Sequence, residues 1–395
     1  MSDKRFVYAD NAATTSVHPE VLAEMIPYLS EFYGNPSSLY SKGQVVKERL
    51  DSARERIAAI LGCDAREIYF TSCGSESDNW AIKGAVEAYL AKNKTDKCHV
   101  ITTKIEHHAV LNTCKALEKK GIDVTYLPVD KYGRVSPEDV EKNLRDDTAI
   151  VAIMYANNEI GTIEPIEEIA KVLEGKKTLF FTDAVQAVGH IPVDVKKLGV
   201  DMLSLSGHKF RAPKGVGALY IRKGVTIKNL VDGGGQENNK RGGTENIASI
   251  MGLAKALEIA NEEMQDDNAR LAVLRDDLIR RLSEIPESIL TGHPTKRLPG
   301  TASFVFKYIE GESLLLMLDA EGISASTGSA CSSKSLEPSH VLLSIGLPHE
   351  IAHGSLRLTL SHETTQEDVD YIVEKVTDVV KRLRAFSPIC PKELK

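Results

Sequence analysis

The sequence predicts an α/β fold: a large domain built on a mostly parallel seven-stranded sheet, followed by a smaller α+β domain. Three observations predict it. The chain has 395 residues, more than one simple core organises, so a large domain plus a smaller one is expected. Strand-like and helix-like runs alternate through the first two-thirds, and the strand-like runs are continuously apolar, as in a parallel sheet covered on both faces. A long charged helical stretch near 247–284 then separates this pattern from a shorter mixture of strands and helices.

In order, "EIYFT" (67–71) is the first strand of the sheet and leads into a helix carrying Trp80, Ile82 and Val86. "CHVITT" (98–103) precedes "HHAVLNTCKALEKKG", a helix that Gly121 stops. "DVTYLPV", a helix near "SPEDVEKNL", and "AIVAIMYA" follow. "PIEEIAKVLEG" (165–175) is helical, with Pro165 suited to its first turn. "TLFFTDA", "DMLSLSG" and "ALYIR" complete seven strands. The second part reads as strand "TASFVF", helix "ESLLLMLDAEG", short strand "ISAS", a small-residue loop, strand "LRLTL" and a final helix from about 365. The expected division is 16–260 for the large domain, and 1–15 with 261–395 for the small one.

Composition narrows the function classes. Apolar residues make up 42%, charged residues 27%, and the formal charge is −7. No basic block or stripe suits a nucleic acid, and no apolar run reaches the length of a membrane span. The N-terminus has no apolar signal core, so the expected location is cytoplasmic. The six cysteines include no C-x-x-C pair, so no metal centre is expected.

Ligands in open α/β sheets bind outside the carboxyl ends of the strands, and four strand ends here carry polar clusters. "FTSCGSESDN" puts Gly74 and Ser75 at a strand-to-helix turn, suited either to an anion such as phosphate or to a helix capped by Ser75 or Ser77. "YANNEIG" offers Asn157 and Asn158. "FFTDAVQ" offers Asp183, which also reads as a helix cap, and Gln186. "SLSGHK" offers Ser206, His208 and Lys209. An unpartnered buried ammonium is expensive, so Lys209 after an apolar strand asks for a reason. A lysine, a carboxylate and a phosphate-type turn on neighbouring strand ends fit pyridoxal phosphate: the lysine forms the Schiff base and the aspartate keeps the ring nitrogen protonated. His107, at the start of a helix, suits ring stacking and proton transfer. The Gly-rich "VDGGGQENNKRGGTEN" is either a surface turn or a loop presenting Thr244 to a phosphate.

Two further features carry chemistry. Cys331 lies in "SASTGSACSSKSLEP", among small residues that bury a thiol poorly, as a transferring nucleophile requires. Arg357 sits on the apolar "GSLRLTL", suited either to a structural ion pair or to gripping a substrate carboxylate.

Together "YADNAATT", "YGNPSS", "FTSCGSESDNWAIKG", "EHHAV", "ANNEIGTI", "TDAVQAVG", "SGHKF-x-x-PKG", "GGGQE", "RGGTEN", "STGSACSS-x-SLEPSHVL" and "SLRLTL" resemble the NifS/IscS-type cysteine desulfurases over nearly the whole chain. These are fold-type-I pyridoxal phosphate enzymes of the class V aminotransferase family. The resemblance implies a homodimer that converts L-cysteine to L-alanine, stores the sulfur as a persulfide on Cys331 and delivers it to an acceptor such as an iron–sulfur scaffold protein. It implies Lys209 as the Schiff-base lysine and His107 as the ring-stacking residue. Asp183 matches the partner of the ring nitrogen, and Asn158 and Gln186 match the ring-hydroxyl contacts. Gly74, Ser75, Ser206 and His208 match the phosphate cradle, with Thr244 donated from the second subunit. Arg357, beside Asn158, matches the substrate carboxylate clamp. Arg211-Ala212, Gly242 and Ser75 depart from the usual pattern. The rival readings are a selenocysteine lyase or another lyase of the same fold, which need no persulfide, and a non-catalytic adaptor.

Overall fold

The computed structural model describes residues 5–328 and 337–395. Twelve strands are described: β1 Val7–Tyr8, β2 Ile68–Thr71, β3 His99–Thr103, β4 Asp123–Leu127, β5 Thr148–Ala152, β6 Leu179–Asp183, β7 Met202–Ser206, β8 Gly217–Ile221, β9 Ser288–Leu290, β10 Thr301–Phe306, β11 Ile323–Ser324 and β12 Ser355–Thr359. The large sheet has seven strands in the order β2-β8-β7-β6-β5-β3-β4. Strands β3 to β7 run parallel, and β8 is antiparallel to both β2 and β7. Every residue of β5, β7 and β8 is buried, which is why these strands read as unbroken apolar runs.

Helices cover both faces. Trp80, Ile82 and Val86 of the helix Gly74–Asn93 pack on one face with Val100, Ile150 and Leu219. Ile57 and Leu61 of the helix Ser41–Leu61 pack on the other with Phe70, Phe180 and Leu203. The sequence reading did not anticipate Ser41–Leu61, whose many charges obscure its buried stripe. Pro165 stands at the N-cap of Ile166–Leu173, just outside the first turn.

The second core belongs to β10, β12 and three helices. Phe304, Phe306, Leu356 and Leu358 pack against Leu314, Leu318, Val369, Ile372 and Val376. The helix Ile247–Leu282 joins the two cores: Ile247 to Ile259 pack into the large one, Leu271 to Leu282 into the small one. The N-terminal segment is sewn to the small core. β1 pairs in parallel with β11, and Asp10 bridges to Thr359 at the end of β12. This pairing, across 349 positions, carries Ala12 and Ala13 over the ends of the large-sheet strands. Among the described residues no helix is long and apolar enough to cross a membrane.

Candidate active site

A cavity of about 370 Å³ opens at the carboxyl ends of β6 and β7. Gly74, Ser75, Ser206, His208 and Lys209 line one part of it, and His107, Asn158, Asp183, Gln186 and Arg357 the rest. Ten residues singled out in the sequence thus meet in one place. Thr244 is exposed, in the loop before the helix Ile247–Leu282, and does not line the cavity. Cys331 lies outside the described residues; Gly328, on its N-terminal side, lines the cavity.

Lys209 ends a short 3₁₀ turn, Gly207–Lys209, that follows β7 directly. Its Nζ donates to the carbonyl oxygens of Ala12 at 2.6 Å and Ala13 at 3.0 Å, and Gln186 Nε2 donates to Ala12 O at 3.0 Å. The Arg211 that departs from the family pattern takes a left-handed φ of 69°. Its backbone N–H donates to Thr15 Oγ1 and its guanidinium pairs with Glu263 at 2.9 Å. Ala212 is buried against Gly207. These contacts hold a conformation that costs a non-glycine residue about 1–3 kcal/mol.

Asp183 closes β6, and its Oδ1 accepts the Val185 N–H at 2.9 Å. Burial pushes its carboxyl upward, while His107, that N–H and Lys209 pull it back down. His107 caps the helix His108–Glu118, its Nδ1 accepting the Ala109 N–H at 3.1 Å. In the neutral ring the proton is therefore on Nε2. Burial lowers the affinity of His107 for a second proton, an effect Asp183 partly offsets. Burial, with Lys209 and Lys214 nearby, holds His208 down to about 4, so it is a neutral hydrogen-bonding ring. Arg357 donates from Nη1 to Asn158 O at 2.8 Å and from Nη2 to Asp10 Oδ1 at 2.7 Å. Its buried Nε has no hydrogen-bond partner among the described residues.

The start of the helix Gly74–Asn93 resolves one open alternative. Its N-cap is Cys73, which makes no side-chain cap, and Ser77 turns its hydroxyl back to Thr71, Cys73 O and Ala218 O. The helix is not capped by Ser75 or Ser77. Its first-turn N–H groups lack intrahelical partners, which suits an anion. A Cβ on Gly74 would stand 2.6 Å from Val185 Cγ2, so any side chain there would force Val185 to move. An amine, a buried carboxylate and an open helix N-terminus in one cavity are the donor set pyridoxal phosphate needs, and the residues present fit it.

Sequence reasoning missed four groups here. Asp78 follows Gly74 by four positions, on the same helix face, yet reads as an ordinary polar helix residue. Asp10 is in "YADNAATT", but its pairing with Arg357 depends on the distant β12. Cys73 also lines the cavity. Glu159, in "NNEIG", is buried, accepts a hydrogen bond from Ser339 Oγ and packs against Gly328.

Glu159 has a measurable consequence. Burial pushes its carboxyl up to about 7, and that of Glu106 up to about 8, against about 4.3 in an unfolded chain. The folded protein keeps protons the unfolded chain has lost. The stability these groups contribute is full below the unfolded value and is lost as pH rises through 7 and 8. His190, His208 and His340, held down to about 4, act in the opposite sense, but only between about 4 and 6.5. The melting temperature should therefore fall between about pH 6.5 and pH 8, and Glu159→Gln should flatten that fall. A rise over this range, or an unchanged slope in the variant, contradicts the assignment.

Comparison with known proteins agrees with this geometry. Residues 7–372 match the family "Aminotransferase class-V". Cysteine desulfurase IscS of Methanosarcina thermophila is 56% identical over 392 residues, covering 99% of this chain and 96% of that protein. The solved structure titled "NIFS-LIKE PROTEIN" superposes with a TM-score of 0.90 at 42% identity, covering 96% of this chain and 100% of that one. The structure "SspA in complex with cysteine" gives a TM-score of 0.78 at 37% identity, covering 89% and 98%.

Proposed function

Because the chain belongs to the class-V aminotransferase family, with cysteine desulfurases among its relatives, we propose that it converts L-cysteine to L-alanine and carries the sulfur away on Cys331. The observation that carries this reading is the meeting of Lys209, Asp183 and the uncapped helix start at Gly74 in one cavity. Pyridoxal phosphate, when bound, supplies an electron sink conjugated to the substrate Cα.

The chain's residues do the rest. Gly74, Ser75, Ser206 and neutral His208 hold the phosphate, joined by Thr244 of the partner subunit in a homodimer. Asp183 would keep the proton on the ring nitrogen, Asn158 and Gln186 would fix the ring hydroxyl, and His107 would cover the ring. Arg357 receives the substrate carboxylate; its grip on Asp10 and Asn158 O fixes the guanidinium before substrate arrives. Lys209 would hold the cofactor through an imine, and its Nζ, as the free amine, would take the Cα proton. The Cys331 thiolate then attacks the substrate sulfur: an S–S bond forms, the Cβ–S bond breaks, Cβ takes up a proton, and the proton removed from Cα is returned there to complete alanine. His107, which lines the cavity and whose Nδ1 is held by the Ala109 N–H, would carry the proton from Nε2. The persulfide passes to an acceptor such as an iron–sulfur scaffold protein, in the cytoplasm.

Alanine and sulfide should form in equal amounts from L-cysteine in the presence of pyridoxal phosphate and a thiol reductant. Arg357→Gln should raise KM for cysteine at least tenfold, because a charge-assisted hydrogen bond contributes about 1.5–3 kcal/mol. Unchanged KM would remove Arg357 from the substrate.

A further inference from the structure

Asp78 is a buried carboxyl that this mechanism leaves without work. It is 1% exposed, and its Oδ1 accepts the Ser204 hydroxyl at 2.6 Å. Ser204 on β7 is the registered partner of Asp183 on β6, so the sheet itself sets the two carboxyls side by side. One oxygen from each, and a ring nitrogen of His107, all lie within 4.8 Å of one another.

The surroundings of the two acids differ. The titratable groups that act most on Asp78 are Asp183, Glu106 ahead of the helix His108–Glu118, and Cys73 at the N-cap of its own helix, all acids; His107 lies within 4.8 Å of both carboxyls. Asp183 feels His107 and Lys209 and accepts the Val185 N–H. Like charges this close in a buried site do not both ionise. The negative charge belongs where the cations are.

We propose that Asp78 is a positioning residue that holds a proton beside Asp183 and confines the single negative charge of the pair to Asp183; this rests on the cofactor reading above. A neutral Asp78 leaves Asp183 as the anion facing the ring nitrogen. An ionised Asp78 would repel it and drive it to take up a proton of its own, weakening its hold on the ring. The direction of the Asp78 shift agrees: burial first, then Asp183, raise its carboxyl well above the ordinary carboxylate range.

Asp78→Asn replaces a neutral acid by a neutral amide of the same shape, and Asp78→Leu removes the polar group. The cofactor-loaded Asn variant should keep the visible absorption maximum of the wild type and its dependence on pH between about 6 and 9. The Leu variant, which cannot ionise either, should likewise leave the charge on Asp183 and the maximum in place. Infrared difference spectra of wild type against Asp78→Asn should show a protonated-carboxyl C=O band at neutral pH. An ionised-carboxylate band instead, or an Asn variant whose absorption titrates differently, overturns the proposal. If Asp78→Leu does not fold, the Asn variant and the infrared band decide. If the wild type takes up no pyridoxal phosphate, the cofactor reading fails, while the infrared band still decides where the proton sits.

Discussion

Lys209→Ala should abolish the borohydride-stable link between protein and pyridoxal phosphate and cut alanine production by about 10²–10⁴-fold or more, the usual worth of a positioned acid–base group. That is about 3–5 kcal/mol of barrier. The expectation follows from position. Among the described residues Lys209 is the lysine that lines the cavity, held at the end of β7 with Nζ on the Ala12 and Ala13 carbonyls. Lys214 and Lys223 are exposed and outside it. The variant should still fold. Losing the two hydrogen bonds costs about 1 kcal/mol each, and Ala12 O keeps the Gln186 donor. A reduced adduct mapped to Lys214 or Lys223 would overturn the assignment.

Cys331→Ala should separate binding from sulfur transfer. Cofactor should remain bound and the visible spectrum should still change on mixing with L-cysteine, because both depend on the cavity. Alanine formation should nevertheless fall by orders of magnitude, each tenfold loss being about 1.4 kcal/mol. The other thiols are poor substitutes. Burial pushes Cys63 and Cys114 up to about 12 and Cys98 up to about 11, leaving them without thiolate at neutral pH, and Cys390 is buried. Cys73 faces the cavity, so Cys73→Ser is the matching control. If Cys331→Ala keeps most of its activity and Cys73→Ser changes nothing, the reaction is that of a lyase needing no persulfide.

Much of this was legible in the sequence because the fold puts chemistry at strand ends. Asp183, Ser206 and Lys209 follow apolar runs directly, so the end of each run announced a candidate. The groups that escaped depend on tertiary pairing. Asp10 acquires meaning only when β1 joins β11 and the chain beyond it meets β12. Asp78 acquires meaning only when its helix packs over Ser204. Glu159 sits within a recognised motif, yet its burial against Gly328 and Ser339 leaves no local pattern. Thr244 shows the converse: its motif is plain in the sequence, and in a single chain it stands away from the cavity, where only a second subunit would give it the phosphate contact proposed for it.

The central claim is that sulfur leaves cysteine by way of Cys331. Mass spectrometry of the cofactor-loaded protein, digested after a brief reaction with L-cysteine, tests it directly. The peptide containing Cys331 should gain one sulfur atom that a reductant removes, and the peptides containing Cys63, Cys73, Cys98, Cys114 and Cys390 should not. Alanine formed while Cys331 carries no added sulfur would contradict the account.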